Sequence, residues 1–204
     1  LFERNGFIVE LDRYVLQQVC MLLKRWNKQG YPPIPVSVNQ SRTHLYQWNN
    51  YLTGMRDLLL EQQVDSSLLM LEITESVAME NPEEMKELIC EFHKMGLKVS
   101  MDDFGSGYSS LNALKALPFD ELKLDRSFFL PSQTPERDEV IVRKMIELAQ
   151  ALQIKTVAEG VEKTAQEKLL KEAGCLCVQG YLYAKPMPVA DFETLAFCLC
   201  VIKK

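Results

Sequence analysis

Histidine is nearly missing from this sequence: the 204 residues hold two. Neither His44 nor His93 stands in a Ser, His and Asp set for nucleophilic catalysis, and both fall in helical sequence away from strand ends, where a surface or packing role is expected. Long hydrophobic runs are missing too. The longest, Leu195 to Ile202, is less than half of the roughly 20 residues that a membrane-spanning helix needs. No apolar stretch of the leader type opens the chain, so no secretory signal is expected in these residues. No P-loop or G-x-G-x-x-G fingerprint occurs. Positive charge is in deficit, 23 Lys and Arg against 28 Asp and Glu for a net charge of -5. That balance argues against binding duplex nucleic acid, which runs on counterion release from many basic contacts. Low-complexity segments and linkers are absent, and one domain over 1–204 is expected.

What is present suits a soluble globular domain, with 47% hydrophobic and 25% charged residues. The six cysteines include two Cys-x-Cys pairs, Cys175 with Cys177 and Cys198 with Cys200. This is not the Cys-x2-Cys spacing of zinc knuckles, and so few histidines give little help. Buried reduced thiols in a reducing cytoplasm are the expectation. The chain opens at Leu1 and reads at once like the inside of a domain, so a piece lacking an upstream portion is expected.

Hydrophobic periodicity predicts helices and short strands in alternation. The residues from 11 to 29 read as an amphipathic helix with Leu11, Val15, Val19, Leu22 and Trp26 on its core face, ended by Gly30. A second helix is marked by Leu45, Trp48, Leu52, Met55 and Leu59. Asn81, Pro82, Glu83 and Glu84 then form a helix N-terminus, as capping and the helix dipole favour, with Met85, Leu88, Ile89, Phe92 and Met95 as its core face. Strands are predicted over 34–39, 68–74, 97–103, 121–125, 154–159 and 176–180. Helices are predicted at about 109–116, 137–152, 164–173 and 189–199. Repeated βα order leaves an open doubly wound sheet or a (β/α)8 barrel. A full barrel takes about 250 residues, so 204 match one that lacks two N-terminal strands as well as they match an open sheet.

Each predicted strand, followed to its C-terminal end, reaches a metal-ligating or catalytic type of side chain: Asn39, then Glu72 with Glu75 beyond it, Asp102 and Asp103, Lys123 and Asp125, Glu159, and Gln179. A single acid of this kind is usually a helix cap, and Glu75 and Glu162 could be no more than that. Six strands in succession are harder to dismiss, because barrel enzymes build their sites at this rim. Carboxylate and amide oxygens are the ligand set of hard Mg2+, Mn2+ or Ca2+. Asp102 and Asp103 cannot both face one way from a regular strand, but at a strand-to-loop junction they could serve two neighbouring ions. Two such ions form a clamp for phosphodiester hydrolysis. The Phe104, Gly105, Ser106, Gly107 and Tyr108 loop beside them is a candidate lid.

The residues at 102–110, Asp-Asp-Phe-Gly-Ser-Gly-Tyr-Ser-Ser, resemble the DDFGTGYSS loop of EAL domains, bacterial cyclic di-GMP phosphodiesterases. Ser37-Val38-Asn39, Leu71-Glu72-Ile73-Thr74-Glu75, Leu122-Lys123-Leu124-Asp125-Arg126, Ala158-Glu159-Gly160-Val161-Glu162 and Gln179-Gly180-Tyr181 are similar to further motifs of that family, in the same order. The resemblance implies an α/β fold, a modified (β/α)8 TIM-like barrel with one antiparallel strand, here with six strands and its N-terminal strands missing. It implies Asn39, Glu72 and Asp102 at one metal, and Asp102, Asp103 and Glu159 at a second. Glu159, Lys123 and Asp103 would be catalytic, with Lys123 holding the attacking water or neutralising charge. Gln179 and Asp125 would serve the substrate or its network, and Glu75 would anchor the loop. Mg2+ or Mn2+ would be the cofactor, with Ca2+ inhibitory. Cyclic di-GMP would be the ligand, opened to linear pGpG.

The resemblance further implies a homodimer through the barrel and active-site loop, an upstream sensor or diguanylate cyclase-like domain, and a cytoplasmic location, with a membrane anchor elsewhere conceivable. The Glu-Ala-Leu motif lies outside this sequence, so the 204-residue piece is expected to be inactive, although the resemblance implies that its parent is an active enzyme. Two rivals stand beside this reading. One is an inactive EAL-type module that binds cyclic di-GMP or a protein. The other is a different Mg-dependent barrel enzyme of the enolase kind.

Overall fold

The structure is a computed structural model that describes residues 7–43, 48–105, 111–130, 133–175 and 177–198. Helix α1 spans Phe7–Lys28 and leads to strand β1, Val36–Asn39. Then come α2 at Trp48–Gln62, β2 at Leu69–Thr74, a short α3 at Glu75–Ala78 and α4 at Pro82–Lys94. Strand β3, Lys98–Phe104, precedes α5, Leu111–Ala116, and β4, Glu121–Leu124. A 3-10 turn at Arg126–Phe129 leads into α6, Pro135–Ala151. The order ends with β5 at Lys155–Ala158, α7 at Thr164–Glu172, β6 at Cys177–Val178 and α8 at Val189–Glu193. No helix among the described residues is long and apolar enough to cross a membrane.

The six strands form one sheet in the order β1-β2-β3-β4-β5-β6, with every pair parallel. The antiparallel strand of the expected barrel does not occur among the described residues. Alternation along each strand divides the sheet into two faces. Leu71, Val99, Met101, Leu122 and Leu124 are fully buried on the outer face. Ile89 and Phe92 of α4 and Val142, Ile146 and Ala149 of α6 belong to the same apolar core. The inner face carries polar groups: Glu72 of β2 and Glu159, just past β5, both meet the Lys123 ammonium group there. The fold is an incomplete TIM-like barrel, a wall of six strands.

The ends of this wall are tied by helices rather than strands. Trp26 of α1 stacks on Phe192 of α8 at 5.7 Å and meets the edge of Phe197, while its indole N–H donates to Glu193 Oε1 at 2.7 Å. Arg25 pairs with the same carboxylate. Gly180, just past β6, is a point of close approach between backbones: a Cβ placed there would lie 2.1 Å from the Val161 carbonyl oxygen. Main chain cannot swing aside as a side-chain tip can, so Gly180→Ala is expected to cost about 3 kcal/mol, the upper end for overpacking. Urea denaturation checks this, and an unchanged midpoint would refute it.

Several expected boundaries shift. Helix α1 starts at Phe7, not Leu11, and its core face is Leu16, Cys20, Leu23 and Trp26. Val15, expected inside, is 40% exposed. Strand β6 has two residues, leaving Gln179 and Gly180 beyond it. The last helix runs without a break from α8 into one wider helical turn at Thr194–Cys198, as expected. Phe104, expected in the loop, is the last residue of β3 and buried in the core. Cys20 and Cys175 are buried thiols as expected, whereas Cys90 and Cys177 are exposed. In the Cys-x-Cys pair at 175 and 177, Cys175 lies buried ahead of β6 while Cys177 opens that strand exposed.

Candidate active site

Lys123 organises the inner face. Its Nζ lies 2.9 Å from Glu72 Oε1, 3.1 Å from Asp102 Oδ1 and 2.7 Å from Glu159 Oε1. The lysine side chain is 6% exposed. Strand geometry sets this up: Glu72 and Lys123 lie within β2 and β4, Asp102 lies near the end of β3, and Glu159 follows β5 directly. Burial alone would lower the pKa of Lys123, but its hydrogen bonds to Glu159 and Glu72 outweigh that and raise it well above the usual lysine range.

The adjacent aspartates reach one place through a break in the strand. The β3–β4 register shifts between Met101 and Phe104, and Asp103 has φ +56°. Asp is one of the few residues that visit this left-handed region, and a bulge re-aims the side chains around it. Asp102, Asp103 and Glu159 thereby each place a carboxylate oxygen within 4.8 Å of the others. Gly105 follows at φ +96°, where only glycine is unstrained, and its N–H donates to the buried Glu75 Oε2 at 3.3 Å. Glu75 thus touches the start of the expected loop. Ser106, Gly107 and Tyr108 lie outside the described residues, as does His44.

The electrostatics favour a cation. Burial, then the neighbouring charges of Asp102 and Asp125, push the Asp103 carboxyl above its ordinary range. Glu159 is pushed up as well, first by burial, against its hydrogen bond with Lys123. Half-buried carboxylates that repel one another are hard-oxygen donors for a divalent ion, so the Asp102, Asp103 and Glu159 group fits a metal. Glu72 is not in that group, and its Oε1 bonds Lys123. Asn39, exposed at the end of β1, is its register partner.

The remaining expected residues are spread around a cleft of about 930 Å3 lined by Asp103, Asp125, Arg126, Glu159, Gln179 and Lys185 among others. That volume is within the usual range for a small-molecule site. Asp125 caps the 3-10 turn, its Oδ1 accepting from Ser127 N–H at 2.9 Å. Burial alone would raise its pKa, but the bonds from Ser127 and Arg126 keep it below the usual carboxylate range. Gln179 is held by its main chain, donating to Ala158 O at 2.8 Å and accepting from Val161 N–H. His93 pairs with Asp120 at 2.9 Å, away from the cleft.

Two features were not anticipated. The fully buried Ser100 donates to Glu121 Oε1 beneath the lysine, and period-2 alternation from Asp102 and Lys123 places both on the same inner face. Phe128 packs on Gly105, and no signal in the sequence marks that contact.

A family model for the EAL domain matches residues 1–186. Cyclic di-GMP phosphodiesterase NbdA of Pseudomonas aeruginosa is 38% identical over 193 residues, 95% of this chain and 24% of that protein. Cyclic di-GMP phosphodiesterase PdeR of Escherichia coli K12 is 36% identical over 191 residues, 94% of this chain and 29% of that one. The solved PaMucR phosphodiesterase in complex with c-di-GMP superposes with a TM-score of 0.85 at 36% identity, covering 94% of this chain and 77% of the other. The chain spans about a quarter of the length of the curated relatives it matches. A family match over nearly all of its residues, on a wall of strands with the acidic groups gathered at one rim, means that the chain belongs to the EAL domain family.

Proposed function

We propose that the protein hydrolyses cyclic di-GMP to linear pGpG. The observation that carries this reading is the Asp102, Asp103 and Glu159 carboxylate group, with Lys123 bonded to two of its members, in a chain related to named cyclic di-GMP phosphodiesterases. In the reaction a water oxygen bonds to phosphorus, the bond from phosphorus to the 3′ oxygen breaks, and that oxygen leaves as a hydroxyl after taking a proton.

Mg2+ or Mn2+, held by Asp102, Asp103 and Glu159 with Asn39 and Glu72 nearby, would supply the charge that activates water and offsets that of the phosphate. The protein's own residues prepare the place. Lys123 draws Glu72, Asp102 and Glu159 together by three ion pairs and cancels part of their repulsion. Asp103, turned in by the bulge, completes the donor set. Arg126 and Lys185 place cations on the cleft for an anionic ligand, and Gln179 and Asp125 offer polar contacts beside them. Glu75 holds Gly105 through its N–H. A cytoplasmic homodimer with further domains belongs to this same reading.

The test is the full-length protein incubated with cyclic di-GMP and Mn2+ or Mg2+, followed by chromatography. A pGpG product that vanishes on chelation with EDTA is expected. Cyclic di-GMP bound but left intact would favour the binding-module alternative and overturn catalysis.

A further inference from the structure

The bulge at Asp103 is a non-glycine residue in left-handed conformation, which needs support from its surroundings to persist. Support on the β2 side is the bond from Gly105 N–H to Glu75. On the β4 side, Asp125 N–H donates to Phe104 O at 3.1 Å. The 3-10 turn capped by Asp125 then lays Phe128 directly over Gly105. A Cβ built on that glycine would sit 2.1 Å from Phe128 Cε2 and 2.4 Å from Cζ, so the ring occupies the space that the missing side chain leaves. Phe128 is half-buried and packed against the core.

We infer that Phe128 is a positioning residue for the metal-binding carboxylates. Its ring pins Gly105 against the Glu75 bond, and Gly105 fixes the chain just past Asp103, keeping that carboxylate turned toward Asp102 and Glu159. The inference rests on the metal-site reading given above. It adds the element that couples the turn after β4 to the geometry of β3.

Two measurements on the chain separate the possibilities. The first is amide hydrogen exchange at Gly105 without added metal, and the second is Mn2+ binding followed by loss of the free-ion EPR signal. Phe128→Ala is expected to speed exchange at Gly105 while core amides such as Leu71 and Met101 keep their protection. It is also expected to weaken Mn2+ binding by about tenfold, as loss of support behind a metal ligand does. Phe128→Leu, which keeps apolar bulk, should recover most of both. If Phe128→Ala does not fold, Phe128→Leu and Gly105→Ala carry the test, each with a partial loss in the same two readouts. Wild-type Mn2+ binding that persists unchanged in a folded Phe128→Ala variant, with Gly105 exchange also unchanged, overturns the inference alone. A wild-type chain that binds no Mn2+ overturns the metal-site reading and the inference with it.

Discussion

Lys123→Met is expected to lower stability by about 3–5 kcal/mol at neutral pH, the range for removing one partner of a buried ion pair, and to abolish turnover. Methionine nearly matches the lysine stem in volume, so the loss is one of charge rather than packing. Three carboxylates, Glu72, Asp102 and Glu159, would then face one another with 8–18% of their side chains exposed and no counter-ion among them. The pH dependence has a definite sign. Because the folded-state pKa of Lys123 is raised, its contribution is fully present below the unfolded lysine value of about 10.4 and fades only as pH rises through the folded one. Wild type therefore keeps it throughout the neutral range. The variant's deficit should shrink as acid protonates the carboxylates, and Mn2+ should stabilise the variant more than wild type by replacing the lost positive charge. Urea denaturation across pH, with and without Mn2+, measures all three effects. Equal stability of variant and wild type at neutral pH would remove Lys123 from its central place.

Glu159→Gln separates activity from folding. The amide keeps the shape and an oxygen to accept from Lys123, but it loses the charge that joins Asp102 and Asp103 in holding a cation. Partners that merely support a metal ligand cost 10–100-fold when removed, so loss of a direct ligand should lower kcat by more than about a hundredfold. Stability should not fall with it. The Glu159 carboxyl is pushed above its ordinary range, first by burial, so its charge opposes folding at neutral pH and a neutral side chain relieves that. The opposite holds for Asp125, whose lowered pKa adds stability that is lost on acidification. Chromatographic assay of pGpG beside a denaturation curve gives both numbers. A variant that keeps turnover within tenfold of wild type would exclude Glu159 from the site.

The parts of this molecule that follow from alternation were legible in the sequence, and the parts that depend on a choice between two equal patterns were not. The polar ends of β2 to β5 could be read because a period of two fixes which residues share a face. Helix α1 carries two overlapping apolar stripes, one through Val15 and Val19 and one through Leu16, Cys20 and Leu23, which converge at Trp26. Periodicity supports either, and only the tertiary partners decide. The paired aspartates posed a geometric conflict whose solution, φ +56° at Asp103, is invisible in a sequence because Asp tolerates both backbone states. Lys123 was legible as a site residue, but its three simultaneous partners were not, since they depend on how sharply the sheet bends.

The division of the sheet into an apolar outer face and a polar inner one has a consequence for how this fold can change over generations. Packing of Leu71, Met101, Leu122 and Leu124 against the helices depends on none of the carboxylates. Selection can therefore swap a carboxylate on the inner face, as in Glu159→Gln, while the scaffold stays folded, provided that Lys123 keeps partners for its charge.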